Sequence, residues 1–92
     1  MKGIESMKGK LLEYGNESNV QYEDIEILDV KEKNRGFKEF EIQCRIYDAY
    51  HTPNGRYTVE LDDGRRGTVI IISIKYLSNQ LEVILKGEGS LK

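Results

Sequence analysis

The ten residues Glu39-Phe-Glu-Ile-Gln-Cys-Arg-Ile-Tyr-Asp48 (EFEIQCRIYD) decide the fold class of this chain. Apolar side chains occupy every second position from Phe40 to Ile46, and polar side chains fill most of the positions between and beside them. A helix would leave Ile42 and Ile46 away from the other apolar residues. Strict alternation of period two is typical of an antiparallel strand with one face in the core. The stretch therefore predicts a half-buried strand.

Other segments of the chain extend this pattern into a sheet. Strands are predicted at 20–30, 56–61, 67–77 and 81–85. Asp62-Asp63-Gly64 predicts a hairpin turn, because Asp-Gly supplies the positive φ angles of tight turns. The alternation in the first of these strands slips at Leu28 and Val30, which predicts a β-bulge. The sequence therefore predicts an all-β fold, a small antiparallel five-stranded meander or barrel. An SH3-like barrel is the first choice, and an OB-like barrel is second because OB folds usually insert a helix.

The length of 92 residues predicts one domain with a small core. Glycines at 3, 9 and 15 weaken both a helical and a strand interpretation of the first part of the chain. We therefore expect residues 1–19 to be a flexible or weakly structured segment and residues 20–89 to form the barrel.

Composition limits the classes of partner and compartment. The chain has 14 Lys and Arg against 16 Asp and Glu, a formal charge of −2, so no global basic field favours nucleic acid. Its single cysteine cannot form an internal disulfide. Residues 1–6 have no apolar region typical of a signal peptide, and no apolar run reaches the ~20 residues of a membrane span. The expected location is cytoplasmic, with no membrane association.

Catalytic and metal sites are not predicted. His51 is the only histidine, and although Asp48 could orient its ring, the sequence has no nucleophile motif to accompany them. Cys44 falls on the inward face of its strand, where a thiol is usually an inert core residue. Asp48, His51, Asp62 and Asp63 match neither an EF-hand nor a zinc ribbon. We expect no enzyme activity, no metal and no cofactor.

A candidate binding face remains after the turn and core residues have been assigned. Its members are the tyrosines, arginines and histidine of two loops, Tyr47, Tyr50, His51, Arg56, Arg65 and Arg66. Aromatic and arginine side chains are enriched in contact surfaces. The face exists as one site only if residues 50–55 and 62–67 lie at the same end of the sheet.

Three functions compete on this basis. The first is a non-enzymatic binding module that contacts a protein or a small ligand through the tyrosine and arginine face. The second is a sequence-tolerant RNA or single-stranded DNA binder, with the tyrosines as stacking platforms and Lys31, Lys33 and Arg35 on the backbone. The third is a small metal-dependent or histidine-dependent enzyme built around Asp48 and His51.

The strand at 67–77 carries apolar residues on both faces and predicts self-association. We assign Ile70, Ile72, Ile74 and Tyr76 to the core. That choice leaves Val69 and Ile71 on the opposite face beside Ile84, an apolar patch of the kind that marks interfaces. We therefore expect a homodimer through the face that carries Val69, Ile71 and Ile84.

Overall fold

The computed structural model describes residues 7–33, 39–47 and 52–92, and these residues form an all-β barrel of six antiparallel strands. The strands are β1 Met7–Glu13, β2 Asn16–Lys33, β3 Glu39–Tyr47, β4 Arg56–Leu61, β5 Arg66–Tyr76 and β6 Gln80–Glu88. The predicted class, a small antiparallel barrel without helix in the described ranges, is confirmed. Tyr50, His51, Asp48 and Arg35 lie outside the described residues.

The strand order around the closed barrel is β1-β2-β3-β6-β5-β4. The chain thus forms two three-stranded meanders, and the predicted single meander is interrupted between β3 and β4. Because every neighbouring pair is antiparallel, the connections alternate between the two ends of the barrel. We call the upper end the one where β1 passes into β2, β3 into β4 and β5 into β6. The β2–β3 connection and the β4–β5 turn lie at the lower end.

The sixth strand is β1, which lies in the segment expected to be weakly structured. That expectation is wrong for residues 7–19, which form β1, a turn and the start of β2. β1 closes the barrel by pairing with β4, and Gly9 lies opposite Leu61. A Cβ atom at Gly9 would lie 2.8 Å from the carbonyl oxygen of Glu60. The glycine that weakened the strand interpretation is therefore the residue that permits the close approach of the two strands.

The predicted bulge in β2 is confirmed. The pairing of β2 with β3 shifts register between Ile27 and Asp29, which leaves Leu28 as the extra residue. Because of this shift, both Ile27 and Val30 face the core although they are three positions apart.

The barrel interior is filled by apolar residues from all six strands. The fully or nearly fully buried members of the core are Leu11, Ile25, Ile27, Phe40, Ile42, Cys44, Ile46, Val59, Leu61, Val69, Val83 and Leu85. The alternating residues of β3 that predicted a half-buried strand are all among them.

The orientation of β5 is the reverse of the predicted one over its first half. Val69 is completely buried and Ile71 packs against the core, whereas Ile72 is 52% exposed and Tyr76 is 65% exposed. The predicted dimer face through Val69, Ile71 and Ile84 is therefore wrong. An apolar run on both faces does not fix its own phase, and the pairing of Val59 with Gly67 sets it here.

Candidate functional site

The predicted site residues that the structure describes do not form one face. Tyr47 ends β3 and Arg56 begins β4, so both lie at the upper end. Arg65 and Arg66 follow the β4–β5 turn at the lower end. The six residues of β4 separate the two groups, and at ~3.3 Å per residue the ends of that strand are roughly 17 Å apart. The residues 50–55 and 62–67 therefore lie at opposite ends of β4.

Arg65 and Arg66 are engaged by carboxylates of their own chain. Arg65 Nε lies 2.9 Å from Asp63 Oδ2, and the Arg65 backbone N–H donates to Asp63 Oδ1 at 3.0 Å. This backbone hydrogen bond is the main reason that the pKa of Asp63 is lowered. Arg66 contacts Glu60 at 2.9 Å and Glu17 at 3.1 Å. Neither guanidinium is left without a counter-charge for an incoming phosphate.

Arg56 connects three elements on the outer surface of the barrel. Its Nε and Nη2 atoms donate to the two carboxylate oxygens of Glu88 at 2.7 and 3.3 Å. These hydrogen bonds lower the pKa of Glu88 and raise that of Arg56. The guanidinium carbon also lies 5.3 Å from the centre of the Tyr14 ring, a cation–π distance. Arg56 thus links β4 to β6 and to the β1–β2 turn.

Tyr47 has one anchored end and one exposed end. Its hydroxyl donates to Glu26 Oε1 at 2.9 Å, and Arg45 lies 3.8 Å from the same oxygen. The side chain remains 46% exposed. An aromatic ring whose hydroxyl is fixed loses little conformational entropy when a partner covers it, which suits a contact residue.

The residues just before β4 are held by a tyrosine in the barrel mouth. Tyr57 Oη accepts a hydrogen bond from the backbone N–H of Asn54 at 3.1 Å, and Pro53 is fully buried. The ring of Tyr57 packs edge-on against Tyr22, with centroids 6.0 Å apart. Burial and the neighbouring Tyr57 raise the pKa of Tyr22 to about 12. The prediction that Tyr57 belongs to the core is confirmed, since it packs against the buried cluster.

The exposed large apolar side chains of the described ranges all lie at or near the upper end. They are Tyr14 at 54%, Tyr47 at 46%, Ile72 at 52%, Tyr76 at 65% and Leu77 at 37% exposure. We call these five residues the upper-end surface. Sequence analysis identified only Tyr47 among them. Ile72 and Tyr76 were assigned to the core and Tyr14 to the weakly structured segment, so only a correct phase for β5 would have found them.

A shallow cleft of about 300 Å³ opens beside this surface. Its walls are residues 52–55 on one side and residues 71–74 on the other, and no charged side chain lines it. Comparison with protein-family models, curated proteins and solved structures finds no match for this chain. The function must therefore be argued from the chemistry of this end of the barrel.

Catalytic groups are not assembled at the upper end in the ranges that the structure covers. No group of three or more His, Cys, Asp or Glu side chains that could hold a metal occurs in residues 7–33, 39–47 and 52–92. In the same ranges, no helix is long and apolar enough to cross a membrane. Cys44 is completely buried, as predicted, and desolvation raises the pKa of its thiol to about 12.

We expect the Cys44 thiol to be unreactive in the folded protein at neutral pH. Reaction with a thiol reagent requires the thiolate and access to it, and both are denied in the core. Because opening a core strand requires nearly the whole free energy of unfolding, the native rate should be at least about a thousandfold below that in denaturant. Absorbance measurement of thiol modification in buffer and in urea checks this. Fast modification of the native protein would show that β3 opens locally.

Proposed function

We propose that this chain is a non-enzymatic protein-binding module that contacts its partner through the upper-end surface. The observation that supports the proposal is the gathering of five exposed apolar side chains at or near one end of a small barrel. Exposed apolar side chains grouped together are typical of protein contact sites, whereas single ones are normal anywhere. Three of the five are tyrosines, a residue type enriched in interfaces.

A protein partner fits this end better than a nucleic acid. Backbone phosphates require free Lys or Arg side chains. At the upper end Arg56 is bound to Glu88, and Arg45 lies 3.3 Å from Glu82. The neighbouring cleft is lined by uncharged residues. Apolar and aromatic contact, rather than charge neutralisation, is the chemistry that the surface offers.

The non-enzymatic and cytoplasmic parts of the proposal rest on the same chemistry. The one cysteine is inert in the core, and the described titratable groups at the upper end are engaged in structural ion pairs or lie on open surface. A reduced, buried thiol with no disulfide suits a reducing compartment.

Site-specific photo-crosslinking tests the proposal. The crosslinking amino acid p-benzoylphenylalanine replaces Tyr47 or Tyr76 in cells that express the chain, and mass spectrometry identifies the adducts. We expect discrete protein adducts from both positions, because the reactive ketone captures only C–H bonds in direct contact.

The matched control places the same amino acid at Asp62, which is exposed in the lower-end turn. This position should give no discrete adduct. Equal adducts at the two ends, or none at Tyr47 and Tyr76, would contradict a binding surface at the upper end.

A further inference from the structure

The second half of β5 forms a sheet edge. β4 begins at Arg56, which lies opposite Ile70, and the Ile71 N–H donates to the Gly55 carbonyl oxygen at 3.1 Å. Beyond this point residues 72–76 continue to pair with β6 on one side. On the other side no strand of the described ranges pairs with them.

The backbone polar groups of this edge point away from β6 at alternate residues. The Leu77 N–H donates to the Gln80 carbonyl oxygen at 2.9 Å and closes the β5–β6 hairpin. Hydrogen-bonded and non-hydrogen-bonded pairs alternate in an antiparallel ladder. The pairs of Tyr76 with Leu81 and of Ile74 with Val83 are therefore of the second kind. The N–H and C=O groups of Ile74 and Tyr76 face outward, where another strand would accept them.

The side chains at this edge are mainly apolar. Ile72 and Tyr76 are 52% and 65% exposed, and Ile74 packs only partly against the core. Unpaired backbone groups beside exposed apolar side chains form a template for the addition of a strand. Proteins usually protect such an edge unless it is used.

The charge at the edge identifies what kind of strand fits. Lys75 is the only charged residue between Ile71 and Gln80, and it lies directly opposite Glu82 of β6. Its charge is thus balanced within the chain, so the incoming strand needs no carboxylate. A neutral, apolar strand is the fitting occupant, and residues 72–76 are themselves such a strand apart from the balanced lysine.

We propose that the edge of β5 pairs with the same edge of a second copy of this chain. The two strands run antiparallel about a two-fold axis at Ile74. Ile74 then lies opposite Ile74 of the second copy, where both exchange two backbone hydrogen bonds, and Ile72 lies opposite Tyr76. Lys75 lies opposite Ser73, whereas a register centred on Lys75 would place like charges face to face.

The dimer uses part of the upper-end surface and so rests on the proposed function. Ile72 and Tyr76 become covered, while Tyr14 and Tyr47 remain open to a different protein. An edge of five residues is smaller than a standard interface of about 1,600 Å². We therefore expect a weak dimer, with a dissociation constant between about 10 µM and 1 mM.

Sedimentation velocity from about 10 µM to 1 mM tests the dimer. The mass should rise from 10.6 kDa toward twice that value. Ile72→Lys should weaken association at least about tenfold by placing charge in the contact. Tyr76→Pro should do the same by removing an outward N–H without breaking the ladder to β6. Gln43→Lys adds the same charge on the exposed outer face of β3 and should leave association unchanged.

Three results would overturn the proposal. A mass that stays at 10.6 kDa up to ~1 mM excludes the dimer. A dimer unaffected by either edge variant places the contact elsewhere. Amides of Ile74 and Tyr76 that are protected from hydrogen exchange in a monomer mean that the chain covers its own edge. In each case photo-crosslinks from Tyr47 to a different protein would show that the proposed function stands without the dimer.

Discussion

Gly87→Ala is expected to unfold most of the protein at room temperature. A Cβ atom at this position would lie 2.2 to 2.5 Å from ring atoms of Phe40, closer than any real packing contact. Phe40 is itself 2% exposed and sits in the core, so its ring has little room to move. Overpacking of a core costs about 1–3 kcal/mol and occasionally more, and a small domain has only about 5 kcal/mol to lose.

Urea unfolding followed by circular dichroism measures the effect. The neighbouring Lys86→Ala changes an exposed residue of the same strand and should alter the free energy of unfolding by no more than about 0.5 kcal/mol. Phe40→Leu should shorten the ring that meets residue 87. In that background Gly87→Ala should cost less than it does with Phe40 present. An equal cost in both backgrounds would mean that the clash with Phe40 is not the cause.

The same contact explains why part of the fold could not be predicted. Alternation identified β3, and Asp-Gly identified the β4–β5 turn, because both signals are local. The function of Gly87 and Gly67 is not local, since each leaves space for a ring that belongs to β3. Gly9 was treated as a weakness for the same reason, although it allows β1 to approach β4 and close the barrel.

The candidate site was harder to predict than the fold. Tyr47 follows from the alternation of β3, and its exposure agrees with that pattern. The arginines looked available because their partners are remote in the sequence. Arg66 meets Glu17, which is 49 positions away, and Arg56 meets Glu88, which is 32 positions away. No pattern within a strand reveals such ion pairs, so residues that stabilise the barrel surface resembled binding residues.

Val69→Asp is expected to be far more damaging than Ile72→Asp, although the two residues are three positions apart on one strand. Val69 is completely buried in the core, and a carboxylate there would have no charged partner. An uncompensated buried charge costs about 3–5 kcal/mol, which approaches the whole stability of a small domain. Ile72 is 52% exposed, so its replacement should cost about 1 kcal/mol or less.

The comparison tests the phase of β5, on which the upper-end surface depends. Thermal and urea unfolding should be measured at low micromolar concentration, where a weak dimer contributes nothing to stability. Raising the pH from about 4 to 8 should deepen the loss in Val69→Asp, because the buried carboxyl must ionise, and should leave Ile72→Asp nearly unchanged. The reverse order of damage would place Ile72 in the core and Val69 outside. In that case β5 would present neither the exposed isoleucine nor the edge register argued above.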